Sequence, residues 1–211
     1  MARMKYSFVL LFCALPLCGQ SVSFGIKAGV PVTAAERSYS DSRFSVDTQR
    51  WTVGGTVEVS LPANLAVGVD ALYRRFSDSY HTTYIVSAFT DATIGHLEFP
   101  VYAKYRFGGR LARPYVEAGF AFDRAHTSGT SGCSGGELAP GEPLCGGAPA
   151  SSTFSSSQWG AGFLAGGGVE FKAAFLKIAP EVRYTRWTKG VFSAGALAQP
   201  NQAEILVGVR F

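Results

Sequence analysis

Long hydrophobic runs are almost missing from this chain. The one present, Phe8 to Leu17, falls short of the roughly 20 apolar residues that a bilayer-crossing helix needs. Charged residues make up only 16% of the 211, with no basic cluster, which argues against a nucleic-acid partner. The stretch that carries Cys133 and Cys145 lacks the further Cys or His ligands that a closed metal site requires. Gly166-Gly167-Gly168 lacks the Lys-Ser/Thr and the helix of a phosphate-cradling loop. No strand-turn-helix nucleophile motif is found either. What the chain does have is 47% apolar residues and 25 glycines, spread along its whole length.

The N-terminus, Met1 to about Gln20, reads as a cleaved signal peptide. Arg3 and Lys5 form its basic start, Phe8 to Leu17 its apolar segment, and Cys18-Gly19-Gln20 its end. An uncleaved anchor is the alternative. A lipoprotein is disfavoured because Leu17 precedes Cys18 and Phe12 precedes Cys13, where a small residue is wanted. Removing Arg3 and Lys5 takes the formal charge from +4 to +2. The remainder, 21–211, is long enough for one domain. Two cysteines lie in the signal. The other two, Cys133 and Cys145, share one Gly/Ser/Pro-rich stretch, and in an exported protein they are expected to form a loop-closing disulfide.

The last residues, Ala203 to Phe211, alternate strictly. Ile205, Val207, Val209 and Phe211 share one side, while Glu204, Leu206, Gly208 and Arg210 share the other, the pattern of a two-faced β-strand. Eight such segments are predicted: about Val22–Val32, Arg50–Leu61, Leu65–Ser77, Thr93–Phe107, Arg113–Arg124, Gln158–Phe171, Phe175–Trp187 and Ala203–Phe211. They match the roughly 9–11 residues that a tilted strand needs to cross a bilayer. Short turns (Pro62-Ala63-Asn64, Gly108 to Ala112, Lys172-Ala173-Ala174) alternate with long Ser/Thr/Gly/Asp-rich connections, the rhythm of an up-and-down barrel with both termini on the turn side. Pro100 and Pro180, inside two segments, predict a bulge at each, since proline cannot donate to the ladder.

Alternation alone does not say which face is inside, and a ligand-binding soluble barrel would turn its apolar face inward. The aromatic positions decide. Phe24, Phe107, Phe171 and Phe211 fall on the apolar face at the turn-side ends, and Trp51, Tyr73, Phe122, Trp159 and Tyr184 fall on it near the loop-side ends. Two aromatic belts with aliphatic residues between them are the girdles of a membrane barrel. The apolar face is therefore expected to meet lipid and the polar face to line the lumen.

That polar face carries Lys27, Arg74, Lys104, Arg106, Lys177, Arg183 and Arg210 against Glu58, Asp70, Glu98, Glu117, Asp123, Glu170, Glu181 and Glu204. An eight-stranded lumen is only wide enough for side chains to fill. Near-balanced charges there predict a salt-bridged plug, with a narrow polar conduit as the alternative. Glycines on the same face (Gly25, Gly68, Gly119, Gly160, Gly168 and Gly208 among them) set small beside large to fill a tight lumen. His81, His96 and His126 fall in or near the loops. With neighbours such as Asp123 and Ser128 they admit a hydrolase reading, against which stands a solvated loop.

Leu97-Glu98-Phe99-Pro100-Val101-Tyr102-Ala103-Lys104-Tyr105, Arg113-Pro114-Tyr115-Val116-Glu117-Ala118-Gly119, Pro180 to Trp187 and the terminal Phe211 together resemble the small outer-membrane β-barrel domain, OmpA/OmpX-like, of Gram-negative bacteria. The resemblance spans Val22 to Phe211. It implies an all-β, eight-stranded antiparallel transmembrane barrel, monomeric, in contact with outer-membrane lipids and lipopolysaccharide. It also implies insertion by the barrel-assembly machinery, which reads Ile205, Val207, Val209 and Phe211 as a signal. No cofactor, metal or catalytic residue is implied, nor a periplasmic peptidoglycan-binding domain. The expected role is non-enzymatic, structural or surface-interacting, with an extracellular ligand held by the loops if there is one. A small porin-like channel is the alternative, and a lipid-modifying enzyme using a loop-side His and Ser the remote one.

Overall fold

The computed structural model describes residues 21–33, 44–48, 51–83, 87–134, 137–139, 142–143, 150–173, 175–189 and 199–211. The predicted signal peptide and Cys145 lie outside these residues, as does the 190–198 segment. Eight strands form the wall: β1 (Ser21–Pro31), β3 (Thr52–Ser60), β4 (Leu65–Thr83), β5 (Ser87–Arg106), β6 (Ala112–Ser134), β9 (Ala150–Ala173), β10 (Leu176–Lys189) and β11 (Asn201–Arg210). Each pairs antiparallel with its neighbours, and β1 pairs with β11, so the sheet closes into a ring. Three short strands lie on the loop side: β2 (Phe44–Thr48), which pairs with the far end of β4, and the ribbon of β7 (Glu137–Ala139) with β8 (Glu142–Pro143). Closure satisfies every ladder without a free edge in the bilayer, the condition for spanning it with strands. The backbone bonds between Phe24 and Phe211, 3.0 and 3.2 Å, close the ring at the turn side.

The faces separate cleanly. Along β5, Glu98, Pro100, Tyr102, Lys104 and Arg106 are buried, while Leu97, Val101 and Tyr105 are exposed. All nine predicted belt aromatics are exposed on the outside, Trp159 at 61% and Phe211 at 68% being the most open. A barrel with aliphatic and aromatic residues outside and ions inside is the inverse of a soluble protein, and it suits a hydrocarbon surround. The turn after β3 is a two-residue reversal in which Leu65 N donates to Pro62 O (3.3 Å), with Ala63 and Asn64 both left-handed (φ 60° and 62°).

Three expectations need correction. The strands do not end where apolar alternation ends: β4 runs on to Thr83, β5 begins at Ser87, β6 reaches Ser134 and β9 starts at Ala150. Most of the predicted 78–92 and 125–157 loops is therefore paired sheet, in continuous register from Cys133↔Ala150 down to Ala112↔Phe171. Above the hydrocarbon both faces meet water, so Ser and Thr occupy both and the two-sided contrast disappears while the ladder continues. Second, neither Pro100 nor Pro180 makes a bulge. On one side of each proline two rungs of the ladder drop out and the register is unchanged, Val69↔Val101 and Leu72↔Glu98 around Pro100, Ile178↔Phe171 and Glu181↔Gly168 around Pro180. Losing a donor on one side costs rungs and inserts no residue. The register shift on β10 lies instead at Thr188, whose hydroxyl donates to Ala161 O at 3.0 Å. Third, β9 continues through Ala173, which pairs with Leu176, so Lys172 and Ala173 of the predicted Lys172 to Ala174 turn belong to the strand, and Ala174 lies outside the described residues.

Candidate functional site in the barrel lumen

Alternation brings one residue in two of every strand inward, and the structure sets the inward charges in three layers. In the turn-side layer Arg106 (β5) and Arg210 (β11) both reach Glu170 (β9), at 3.3 and 2.6 Å, and both pair with Glu58 (β3). Lys177, placed in the same set by the sequence, is half-buried at the rim and donates to Ser23 Oγ at 3.0 Å.

The middle layer is the densest. Arg183 (β10) has 0% exposure and reaches Asp70 (2.8 Å), Glu117 (3.0 Å) and Glu181 (3.0 Å). Lys27 (β1) holds Asp70 at 2.8 Å and Glu181 at 2.9 Å, and Lys104 (β5) holds Glu117 at 3.5 Å and Glu58 below it at 3.0 Å. Three cations thus meet three carboxylates. Tyr102 and Tyr115 fill the space between them, their hydroxyls donating to Asp70 (3.1 Å) and Glu181 (2.8 Å). Lys104 Nζ lies 4.0 Å from the Tyr115 ring centroid, a favourable cation–π placement in a desolvated site. Two glycines make this filling possible. Tyr102 crosses directly over its partner Gly68, and the Tyr115 hydroxyl sits 2.8 Å from where a Cβ on Gly168 would be.

In the loop-side layer Arg74 (β4) donates to Glu204 (2.6 Å) and Gln202 (2.9 Å) of β11, and Thr52 to Glu204 (3.5 Å). His96 corrects the expectation of a loop residue. It is 2% exposed, points into the lumen beside Glu98, and its Nδ1 lies 2.9 Å from Asp123 Oδ2. Counting two residues back from Glu98 on the same strand face would have found it. Glu98 Oε1 is buried without a hydrogen-bond partner among the described residues. The sequence reading also missed an apolar inward cluster on the β5–β6–β9–β10 side, where Ile94, Ala121, Ala125, Leu164 and Trp187 pack above Tyr102. Trp187 shares its face with Arg183, and that parity was available in the sequence.

The other histidines separate. His126 is exposed on the outer face of β6, its Nδ1 3.0 Å from Ser157 Oγ, and the His81 side chain lies outside the described residues. Cys133 sits at the loop-side end of β6, and its pairing with Cys145 lies outside the described residues. Ile205, Val207, Val209 and Phe211 line the outer face of the last strand. Among the described residues no cluster of three or more His, Cys, Asp or Glu could hold a metal ion.

A closed ring of eight strands, apolar outside and charge-paired inside, defines the class as a membrane β-barrel. The chain belongs to the outer membrane protein beta-barrel domain family, whose model matches residues 7–211, and its place is the outer membrane. Among solved structures it is similar to Ail, the attachment invasion locus protein of Yersinia pestis (12% identity, 91% of this chain and 97% of that one, TM-score 0.41). Neisserial surface protein A (17%, 91% and 97%, TM-score 0.40) and the N-terminal barrel domain of Pseudomonas aeruginosa OprF (17%, 90% and 97%, TM-score 0.37) are also similar. A search of curated protein sequences finds no significant match.

Proposed function

We propose that this is a non-enzymatic surface barrel, its lumen plugged by paired charges and its loop-side sheet presented outside the cell. The observation that carries the reading is the middle layer. Arg183 and two lysines are locked between three carboxylates and two tyrosines drawn from β1, β4, β5, β6 and β10. A buried ion stripped of one partner is strongly destabilising, so such a layer resists opening for solute passage. The extension of β4, β5, β6 and β9 supports the second half of the reading. It raises a wall rich in Ser and Thr, opened by a cavity of about 560 Å³ lined by Ser77, Asp91, Thr93, Ser128 and Phe154 among others. Catalysis is not favoured. The His126–Ser157 pair has no described carboxylate bonded to it, so it lacks the third group that orients a catalytic base.

The test is conductance of the refolded full chain in a planar bilayer. No stable current is expected. A steady, solute-dependent current would replace the plug with the small-channel reading.

A further inference from the structure

Charge is spread unevenly along the barrel axis. The turn-side layer and the rim beyond it carry six cations, Arg106, Arg110, Arg113, Lys172, Lys177 and Arg210. Only two described side-chain carboxylates, Glu58 and Glu170, stand at this end, and Arg106 and Arg210 hold both. Four cations are left over at the rim.

The strands set where these four point. Arg113 (β6) has the inward parity of Tyr115 and Glu117, Lys172 (β9) that of Glu170, and Lys177 (β10) that of Ala179 and Glu181. All three therefore turn toward the mouth of the lumen and away from lipid. Lys172 and Lys177 are cross-strand partners, and like charges placed directly opposite repel. Arg110 is exposed in the turn between β5 and β6, and Lys172 N donates to Leu111 O at 3.1 Å, which ties that turn to β9. Arg113 Nε donates to Gly109 O at 2.9 Å and Lys177 Nζ to Ser23 Oγ at 3.0 Å. None of the four forms an ion pair with a described residue, the Phe211 carboxylate included.

The width of the arc selects its ligand. β6, β9 and β10 are consecutive in the sheet, two gaps of about 4.8 Å each, so the arc spans about 10 Å. One phosphate or one carboxylate group is too small to meet all of it. Three to four residues of an extended chain, at about 3.3 Å each, cover it. The paired Arg106, Arg210, Glu58 and Glu170 lie directly behind the rim, so a ligand docks across the mouth.

We propose that Arg110, Arg113, Lys172 and Lys177 form a docking rim for an acidic peptide segment, a few extended residues carrying several carboxylates. The guanidiniums take carboxylates through their donor forks, and the lysines add compact charges beside them. Docking relieves the repulsion between Lys172 and Lys177, and the excess of positive charge draws the segment in from solution. With the loop side outside the cell, as proposed above, the segment belongs to a periplasmic protein. Only that compartment rests on the earlier reading.

The full chain refolded into phosphatidylcholine nanodiscs exposes both ends of the barrel, so the test is independent of orientation in the cell. Binding of a fluorescein-labelled tetraglutamate peptide is followed by anisotropy, beside its tetraglutamine counterpart. The acidic peptide is expected to bind at about 0.05 M salt and far more weakly at about 0.5 M, where exposed charges are screened. The glutamine peptide should not bind. Arg113→Gln with Lys172→Gln should weaken binding about fivefold or more, two exposed charge contacts being lost. Arg186→Gln with Lys189→Gln, at the loop-side end of β10, should leave it unchanged. Equal binding of the glutamine peptide, or unaltered binding by the rim variant, would overturn the proposal. So would a wild type that ignores the peptide but retains phosphatidylglycerol in native mass spectrometry, since the rim would then serve lipid. Both variants are checked for folding by heat-modifiable gel migration.

Discussion

Arg183→Met tests the middle layer where it is most concentrated. The substitution keeps an unbranched side chain but removes the charge shared by Asp70, Glu117 and Glu181. Lys27 continues to hold Asp70 and Glu181, and Lys104 continues to hold Glu117, so the layer passes from three cations against three carboxylates to two against three. Removing one partner of a buried ion pair costs about 3–5 kcal/mol. The remaining lysines place this variant toward the lower end, about 3 kcal/mol. A second variant, Arg183→Met with Glu117→Gln, restores the balance of two against two and should recover about half of the loss. Both are measured on protein refolded in detergent, as the shift in the urea concentration that converts the folded, fast-migrating gel species to the unfolded one. A loss below about 1 kcal/mol for the single variant, or no recovery in the double, would show that the lumen is hydrated and screened, and the argument for a plug would fall.

Ala63 occupies a left-handed position, φ 60°, which costs an L-residue with a Cβ about 1–2 kcal/mol; Ala63→Gly is expected to raise the unfolding midpoint in the same urea titration. Phe211→Ala should sharply lower outer-membrane yield in cells while leaving the refolded protein's stability within about 1 kcal/mol, because the side chain is 68% exposed and its backbone bonds to Phe24 survive. Deleting the residue removes those two bonds as well, so the substitution isolates the proposed assembly signal; equal loss in both assays would assign Phe211 to packing. Cys133 and Cys145 should resist thiol labelling until reductant is added, and labelling of both without it would refute the proposed disulfide.

The part of the barrel that touches hydrocarbon was the legible part. Between Leu65 and Tyr73, or between Leu97 and Phe107, lipid demands apolar residues outside while the narrow lumen takes Gly68 and Asp70, or Glu98, Tyr102, Lys104 and Arg106, so the two faces differ at most steps. Before Thr93 on β5 both faces are at least partly exposed, and Thr90, Asp91 and Ala92 keep the ladder without the contrast. His96 escaped because it lies near the loop-side end of the predicted Thr93–Phe107 strand, where the contrast between faces is weak, although its parity with Glu98 points inward. Ile94, Leu164 and Trp187 escaped for the opposite reason: apolar side chains on an otherwise polar face conflict with the pattern until the cluster they form is seen. The rungs lost at Pro100 depend on which neighbouring strand its nitrogen faces, and that is a property of the assembled sheet.

The seam between β1 and β11 joins the two ends of the chain, Gly25 opposite Arg210 and Pro31 opposite Glu204. The lumen repeats this linkage across distant strands, Lys27 to Glu181 and Arg74 to Glu204. During synthesis, then, the first strand has no partner on one side until the last has been made, and Lys27, Arg74 and their carboxylates stay solvated singly until then. Pairings this remote in sequence close slowly, since chain entropy is lost before any bond rewards it. Entering the bilayer with the seam open would carry a bare strand edge and unpaired ions into hydrocarbon, each at a cost of several kcal/mol per group. Zipping of the seam and entry into the membrane are therefore expected to be coupled, and a defect at Phe211 or in β11 is expected to act on the rate of assembly before it acts on the finished barrel.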